Sequence, residues 1–361
     1  MTMNSTAHTD YLKLTGYFGE RQRHGDRFAA DALLDLYGDA GVATSVMLRG
    51  AASFGPSRQI RTDQTLSMSE DPAVTVTAVD TAEKISALAE RAVERVPRGL
   101  VTIERAQLVT AATPAPTIPS TAKLTIYVGR HRRAAGAPAH RAVSALLYRL
   151  GFTAATVFVG VDGTVHGQRR RARFFSRNAD VPVVIVAIGS GAQVGAALGE
   201  LNGLLDHPLM TVERAEVCKR DGTLIGKPSA LPATDAQGRP IWQMLTIHTP
   251  GTALHDGAPV HRALVRRLLE SATAGGATVV RGVWGFCGDA KPHGDSLFQV
   301  GRYVPVTTIV VDTPDRIAAG FEIVDELTTE HGVVTTEMVP AAVTVDGPHR
   351  SGGIALAYHS Y

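Results

Sequence analysis

The chain states one pattern of residues three times, and any fold it adopts must accommodate three copies. Lys13-Leu14-Thr15 opens the first copy, Lys123-Leu124-Thr125-Ile126-Tyr127 the second and Met244-Leu245-Thr246-Ile247-His248 the third. A later stretch also recurs: Thr211-Val212-Glu213-Arg214-Ala215 reproduces Thr102-Ile103-Glu104-Arg105-Ala106. Shared strand propensity does not generate such a match, so the spacing predicts a repeat architecture.

Within the first copy, Leu12 and Leu14 alternate with Lys13 and Thr15 as in a half-buried strand. Phe28, Ala32, Leu33, Leu36 and Tyr37 then recur at helical spacing until Gly41. Val42 to Arg49 reads as a second strand, Gly50 to about Asp71 as a polar loop, and Ala73 to Val79 as a third strand rich in Val and Thr. Ile85, Leu88, Ala92 and Val96 stripe a second helix that begins at Thr81 and ends at Pro97-Arg98-Gly99. Leu100 to Val109 closes the unit. The order is βαββαβ, a ferredoxin-like unit, and the fold class is α+β. The second copy has Pro138 and the third Pro259 where the first helix opens. The predicted organisation is repeat one at 11–109, a linker at 110–122, repeat two at 123–218, a linker at 219–241 and repeat three at 242–345. Residues 346–361 read as a loosely held tail. Each sheet has a face that its helices leave uncovered, and stacking three sheets about a pseudo-threefold axis buries it. Three independent beads are the alternative.

Composition supports globular units and excludes several classes. Hydrophobic residues make up 44% of the 361, enough for a core in each unit. Cys218 and Cys287 are the only cysteines, which gives no disulfide framework and no paired metal or redox motif. The apolar runs are strand-sized and the start is polar, so the expectation is a cytoplasmic protein without a transmembrane segment. A net charge of +2 gives no basis for nucleic-acid binding. A nucleophile elbow, Walker-type loop, paired-histidine zinc helix and dinucleotide fingerprint are all missing from the sequence, so no catalytic residue and no metal ligand is assigned.

Several stretches carry a family resemblance. Asp80-Thr81 before a helix with Lys84, together with Glu70-Asp71, Arg49-Gly50 and Phe54-Gly55, is similar to the PII-like family catalogued as domain of unknown function 190. The third copy resembles it through Arg281-Gly282-Val283-Trp284-Gly285-Phe286, His293-Gly294-Asp295 and Val311-Asp312-Thr313-Pro314. The resemblance implies a unit that trimerises as PII signal proteins do, here as an intramolecular pseudo-trimer. It further implies a small anionic effector, commonly an adenine nucleotide, held in the clefts between units, with no cofactor required. Such proteins signal to a transporter, channel or enzyme through a mobile loop between strands two and three. The matching loops are Gly50 to Asp71, Gly160 to Asp180 and Gly282 to Arg302. The chain departs from PII between the second helix and last strand, where a glycine-rich phosphate cradle with a lysine is replaced. Val96-Pro97-Arg98-Gly99, Leu205-Asp206-His207-Pro208 and Thr329-Glu330-His331-Gly332 stand there instead.

Candidate ligand residues follow from chemistry at the strand ends. Arg49-Gly50 and Arg281-Gly282 combine a guanidinium that can fork onto an anion with a glycine that admits close approach. Phe54-Gly55, Trp284 and Phe286 offer faces for stacking on a ring, and His293 lies in the same loop. Core or interface packing is the competing reading for the aromatics, and a surface salt bridge for the arginines. Repeat two has Val159-Gly160 in place of Arg-Gly, so fewer than three equivalent sites are expected. Arg169, Arg170, Arg171 and Arg173 form a basic cluster for a partner or an anionic surface, against the alternative of a solvated face. Two rival functions stay open: a metal-binding protein or enzyme using the histidine-bearing loops of repeats one and three, which carry His24, His255, His261 and His293, and a ligand-free adaptor.

Overall fold

The computed structural model describes residues 11–62, 71–109, 118–165, 168–169, 181–206, 208–294 and 304–360. Each repeat runs strand, helix, strand, strand, helix, strand. In the first, the long strands Tyr11–Gly19, Thr44–Phe54, Ala73–Thr81 and Arg98–Val109 enclose α1 (Ala29–Asp39) and α2 (Ala82–Glu94). In the second they are Thr121–Gly129, Ala154–Val159, Pro182–Ser190 and Leu209–Arg214, with α3 (Ala139–Arg149) and α4 (Gly191–Leu204). In the third they are Trp242–Pro250, Ala277–Arg281, Pro305–Asp312 and Val333–Val339, with α5 (Val260–Glu270) and α6 (Pro314–Leu327).

Local chemistry sets where the helices begin. Ser190 and Gln193 make a reciprocal capping box at the head of α4, so Gly189-Ser190-Gly191 is a helix start. Thr81 accepts from the Lys84 amide at the head of α2, and Pro314 fills the first turn of α6. The apolar stripes then pack on one face of each sheet. Leu12, Leu14 and Phe18 meet Leu33, Leu34, Ile85 and Leu88 in the first core, and Leu124 and Ile126 meet Val143, Leu147 and Leu201 in the second. Leu245 and Ile247 meet Leu264, Leu268 and Phe321 in the third.

In every repeat the strands are antiparallel and lie side by side in the order second, third, first, fourth. Both sheet edges then join a neighbouring repeat. At the second-strand edge, Asp162–Val165 pairs with Thr44–Met47, Trp284–Cys287 with Ala154–Val157, and Gly50–Phe54 with Ala277–Val280. At the fourth-strand edge, Gln107–Val109 pairs with Met210–Val212, Glu216–Arg220 with Val333–Thr336, and Ala341–Asp346 with Arg98–Ile103. These pairings run from first to second to third and back to first, so the edges of the repeats are used up on one another.

This closure explains a difference from the sequence reading. The second strand was expected to stop at Arg49, but it continues to Phe54 because Gly50–Phe54 finds its partner 220 or more residues away in the third repeat. A Cβ on Gly50 would stand 3.1 Å from the Val279 carbonyl oxygen. At the matching positions it would stand 2.8 Å from Val46 Cγ2 for Gly160 and 2.7 Å from Thr156 Cγ2 for Gly282. All three glycines serve the crossings between repeats.

The terminal segment also differs from a loose tail. Ala341–Asp346 turns back on His349–Gly353, and Ala357 is fully buried with its amide on the Pro340 carbonyl. The Asp235 carboxylate, in the segment that precedes repeat three, accepts from the amides of Gln237, Arg239 and Tyr358 and from Arg239 Nε. It ties that segment to the chain's last residues. A chain ended after Val339 should therefore unfold at lower urea and lose hydrogen-exchange protection along Arg98–Ile103. Unchanged protection there would show that the last strand is dispensable.

Candidate functional site

Alternation along the first strands sends Leu12 and Leu14 to the helices and Lys13, Thr15 and Tyr17 to the opposite face. The same rule places Lys123, Thr125 and Tyr127, and Met244, Thr246 and His248. Register sets Lys13 opposite Glu104, Lys123 opposite Glu213 and Met244 opposite Glu337. Three layers result: acids with lysines or Met244, then threonines, then two tyrosines with a histidine. A chamber of about 120 Å³ lies among them, lined by residues of all three repeats.

The first layer is a buried ionic cluster. Lys13 Nζ lies 2.6 Å from both Glu104 Oε2 and Glu213 Oε2, and Lys123 Nζ lies 2.8 Å from Glu213 Oε2 and against Glu337. Burial alone would pull both ammonium groups down, but the surrounding carboxylates more than reverse this and hold them charged. Burial likewise pushes the Glu213 carboxyl up, yet Lys123 and Lys13 bring it down to about 2. Glu337 moves upward, from burial and from Glu213, despite Lys123. Three carboxylates face two ammonium groups, and the surplus acid is the one that yields. The carboxylate oxygens lie within 4.8 Å of one another, the one such grouping of acid, histidine and cysteine ligand atoms among the described residues. It includes no histidine.

A second feature opens between repeats one and three, a cleft of about 320 Å³. Phe18, Phe54 and Trp242 give it apolar walls, Gly55 and Gly275-Gly276 bring backbone to its surface, and Arg61, Arg98 and Arg316 supply cationic groups. Trp242 is 8% exposed and its Nε1 has no hydrogen-bond partner among the described residues. Arg98 Nε donates to Asp346 at 2.6 Å, while Asp312 accepts from the amides of Gly275 and Thr313 at the head of α6.

The residues singled out in the sequence do not gather at one place. Phe54 and Gly55 line this cleft. Arg49 is exposed and forks onto Glu20, its Nε 3.0 Å from the Glu20 carboxylate. Arg281 stands at a strand end beside His261, and its Nε has no hydrogen-bond partner among the described residues. Phe286 is fully buried in the second repeat's core, edge-on to Tyr148. Trp284 lies under the Arg141 guanidinium at 4.3 Å, and His293 Nδ1 contacts the Lys291 carbonyl at 2.6 Å. Arg169 pairs with Asp31, Asp35 and Asp162, so it clamps repeat two to α1. Arg170, Arg171 and Arg173 lie outside the described residues. Sequence reasoning missed Arg98, Trp242 and Arg316, and the ionic cluster. Lysine and glutamate recurring at matched positions of strands was the signal for the cluster, since charge in a buried strand demands a partner.

The protein is thus a mixed α/β chain of three repeats joined edge to edge, with six helices among the described residues. The family model DUF190, described as Uncharacterized ACR, matches residues 11–108, 121–217 and 242–341, and the chain belongs to that family, in three tandem copies. No helix among the described residues is long and apolar enough to cross a membrane.

Glu213 is the acid shared by both lysines, so Glu213→Gln should lower stability at pH 7 by about 3 kcal/mol. Its folded-state pKa lies below the unfolded value, so its contribution is complete above the unfolded carboxylate range and is lost as pH falls toward 2. The gap between wild type and variant in urea unfolding should narrow over that window. A gap that is constant with pH would rule out this ionic role.

Proposed function

We propose that this protein is a cytoplasmic PII-like regulator. In this reading three ferredoxin-like units, at 11–109, 123–218 and 242–345, pack as an intramolecular pseudo-trimer joined by 110–122 and 219–241. The strand order within each repeat and the circular pairing of the edges support it. The cleft between repeats one and three binds a small anionic effector, with an adenine nucleotide as the leading candidate. The observation that carries this is the joint presence of aromatic walls, exposed backbone and three arginines in one inter-repeat cleft. A planar ring fits between Phe54 and Trp242, whose Nε1 offers a donor, and the anionic part meets Arg98 and the head of α6. Arg98-Gly99 stands where PII relatives carry their phosphate cradle, so an arginine takes over from backbone and lysine. Binding biases the loops between second and third strands, which contact a partner such as a membrane transporter or channel.

Calorimetric titration with ATP, ADP, AMP and cyclic nucleotides tests the effector. One of them should bind, and Arg98→Glu should weaken it at least about tenfold, a loss of about 1.4 kcal/mol. Silence across the panel would defeat the nucleotide reading.

A further inference from the structure

Lysine and methionine side chains follow the same path for three atoms beyond Cβ, and methionine ends where lysine adds its ammonium. Met244 occupies the position of Lys13 and Lys123 and faces Glu337, as they face Glu104 and Glu213. The third repeat therefore keeps its acid and lacks its cation. Two further atoms register this. Thr102 donates to Glu104 Oε1 and Thr211 to Glu213 Oε1, each at 3.1 Å. Thr335 Oγ1 and Glu337 Oε1, the matching pair, are buried and have no hydrogen-bond partner among the described residues. His248, 2% exposed, lines the adjoining chamber, and its Nε2 has no hydrogen-bond partner among the described residues.

We propose that a monovalent cation of the size of ammonium or potassium binds on the axis beside Glu337 Oε1 and Thr335 Oγ1, supplying the charge that Met244 lacks. Oxygen acceptors suit either ion. Size selects against bulky cations, because both oxygens are buried within the packed interior. A divalent ion would overcompensate a surplus of one, and two ammonium groups already stand within the cluster. Water satisfies hydroxyl groups but leaves the charge unbalanced. The competing means of balance is a proton on Glu337, in keeping with its upward displacement. The site is independent of the effector cleft, which lies between repeats one and three.

Thermal unfolding of the full chain in the chlorides of ammonium, potassium and tetramethylammonium at one ionic strength tests this. The midpoint should rise by a few degrees, saturably, in ammonium or potassium relative to tetramethylammonium, and comparing the first two identifies the preferred ion. Met244→Lys places an ammonium group on the axis and should abolish the difference. Equal midpoints in all three salts would overturn the proposal and leave the charge to a proton. A salt preference that persists in Met244→Lys would overturn it too, by assigning the effect to another site. If that variant does not fold, Glu337→Gln must remove the preference instead. Rubidium-soaked crystals must also show an anomalous peak at Glu337 and Thr335, and its absence would equally refute the site.

Discussion

The buried charges shared by the three repeats constrain everything around them. Two ammonium groups and three carboxylates are removed from water, and each is tolerable only while the others hold their places. Slipping the first strand of repeat one or two by one residue would turn Lys13 or Lys123 into an apolar core and leucines into the charge cluster. The ionic layer therefore adds little net stability by itself but specifies register for three sheets at once. The strand pairings at both sheet edges then fix the repeats against one another, and the glycines at 50, 160 and 282 let those crossings close.

Having the copies in one chain removes the requirement that they stay alike. Contacts between the loop after each second strand and the first helix of the neighbouring repeat show the result. Arg169 reaches Asp31 and Asp35 on α1 by ion pairing, Trp284 lies against Arg141 on α3, and Arg58 donates to the Leu269 carbonyl near the end of α5. One mechanical task is met by three chemistries: charge, cation and ring, and a side-chain hydrogen bond to a backbone carbonyl. Partly exposed pairs of this kind contribute modestly to stability. Their value is positional, since they orient the segments that lead into the loops.

The repeats and their order of elements were legible because strand alternation and helical spacing are local properties. Leu12 and Leu14 against Lys13 and Thr15 identified a strand and its two faces. What the local pattern hid were partners far along the chain. The strand end at Arg49 was misplaced because the residues that extend it belong to 277–280. Arg98 was visible only as a departure from a phosphate cradle, since nothing in sequence brings Trp242 and Arg316 to face it. Phe286 resembled a stacking residue by type, and only packing against Tyr148 identifies it as core. The charge cluster was present in the repeated Lys and Glu positions, and recognising it required the register between first and fourth strands.

Comparing the copies position by position locates the asymmetry on a single strand. Trp242 replaces Tyr11 and Thr121, Met244 replaces two lysines, and His248 replaces two tyrosines. All three lie on the same face of Trp242–Pro250, because successive same-face residues are two apart. At about 3.3 Å per residue, Trp242 in the cleft and Met244 opposite Glu337 are separated by roughly 7 Å of one strand. That strand is hydrogen-bonded on both sides, to Pro305–Asp312 and to Val333–Val339, so it cannot slide for one residue without sliding for the other. Its burial leaves His248 neutral, at about 4, beside Thr307. The wall of the cleft and the missing lysine opposite Glu337 therefore lie on one structural element, and a change in either is bound by the same register.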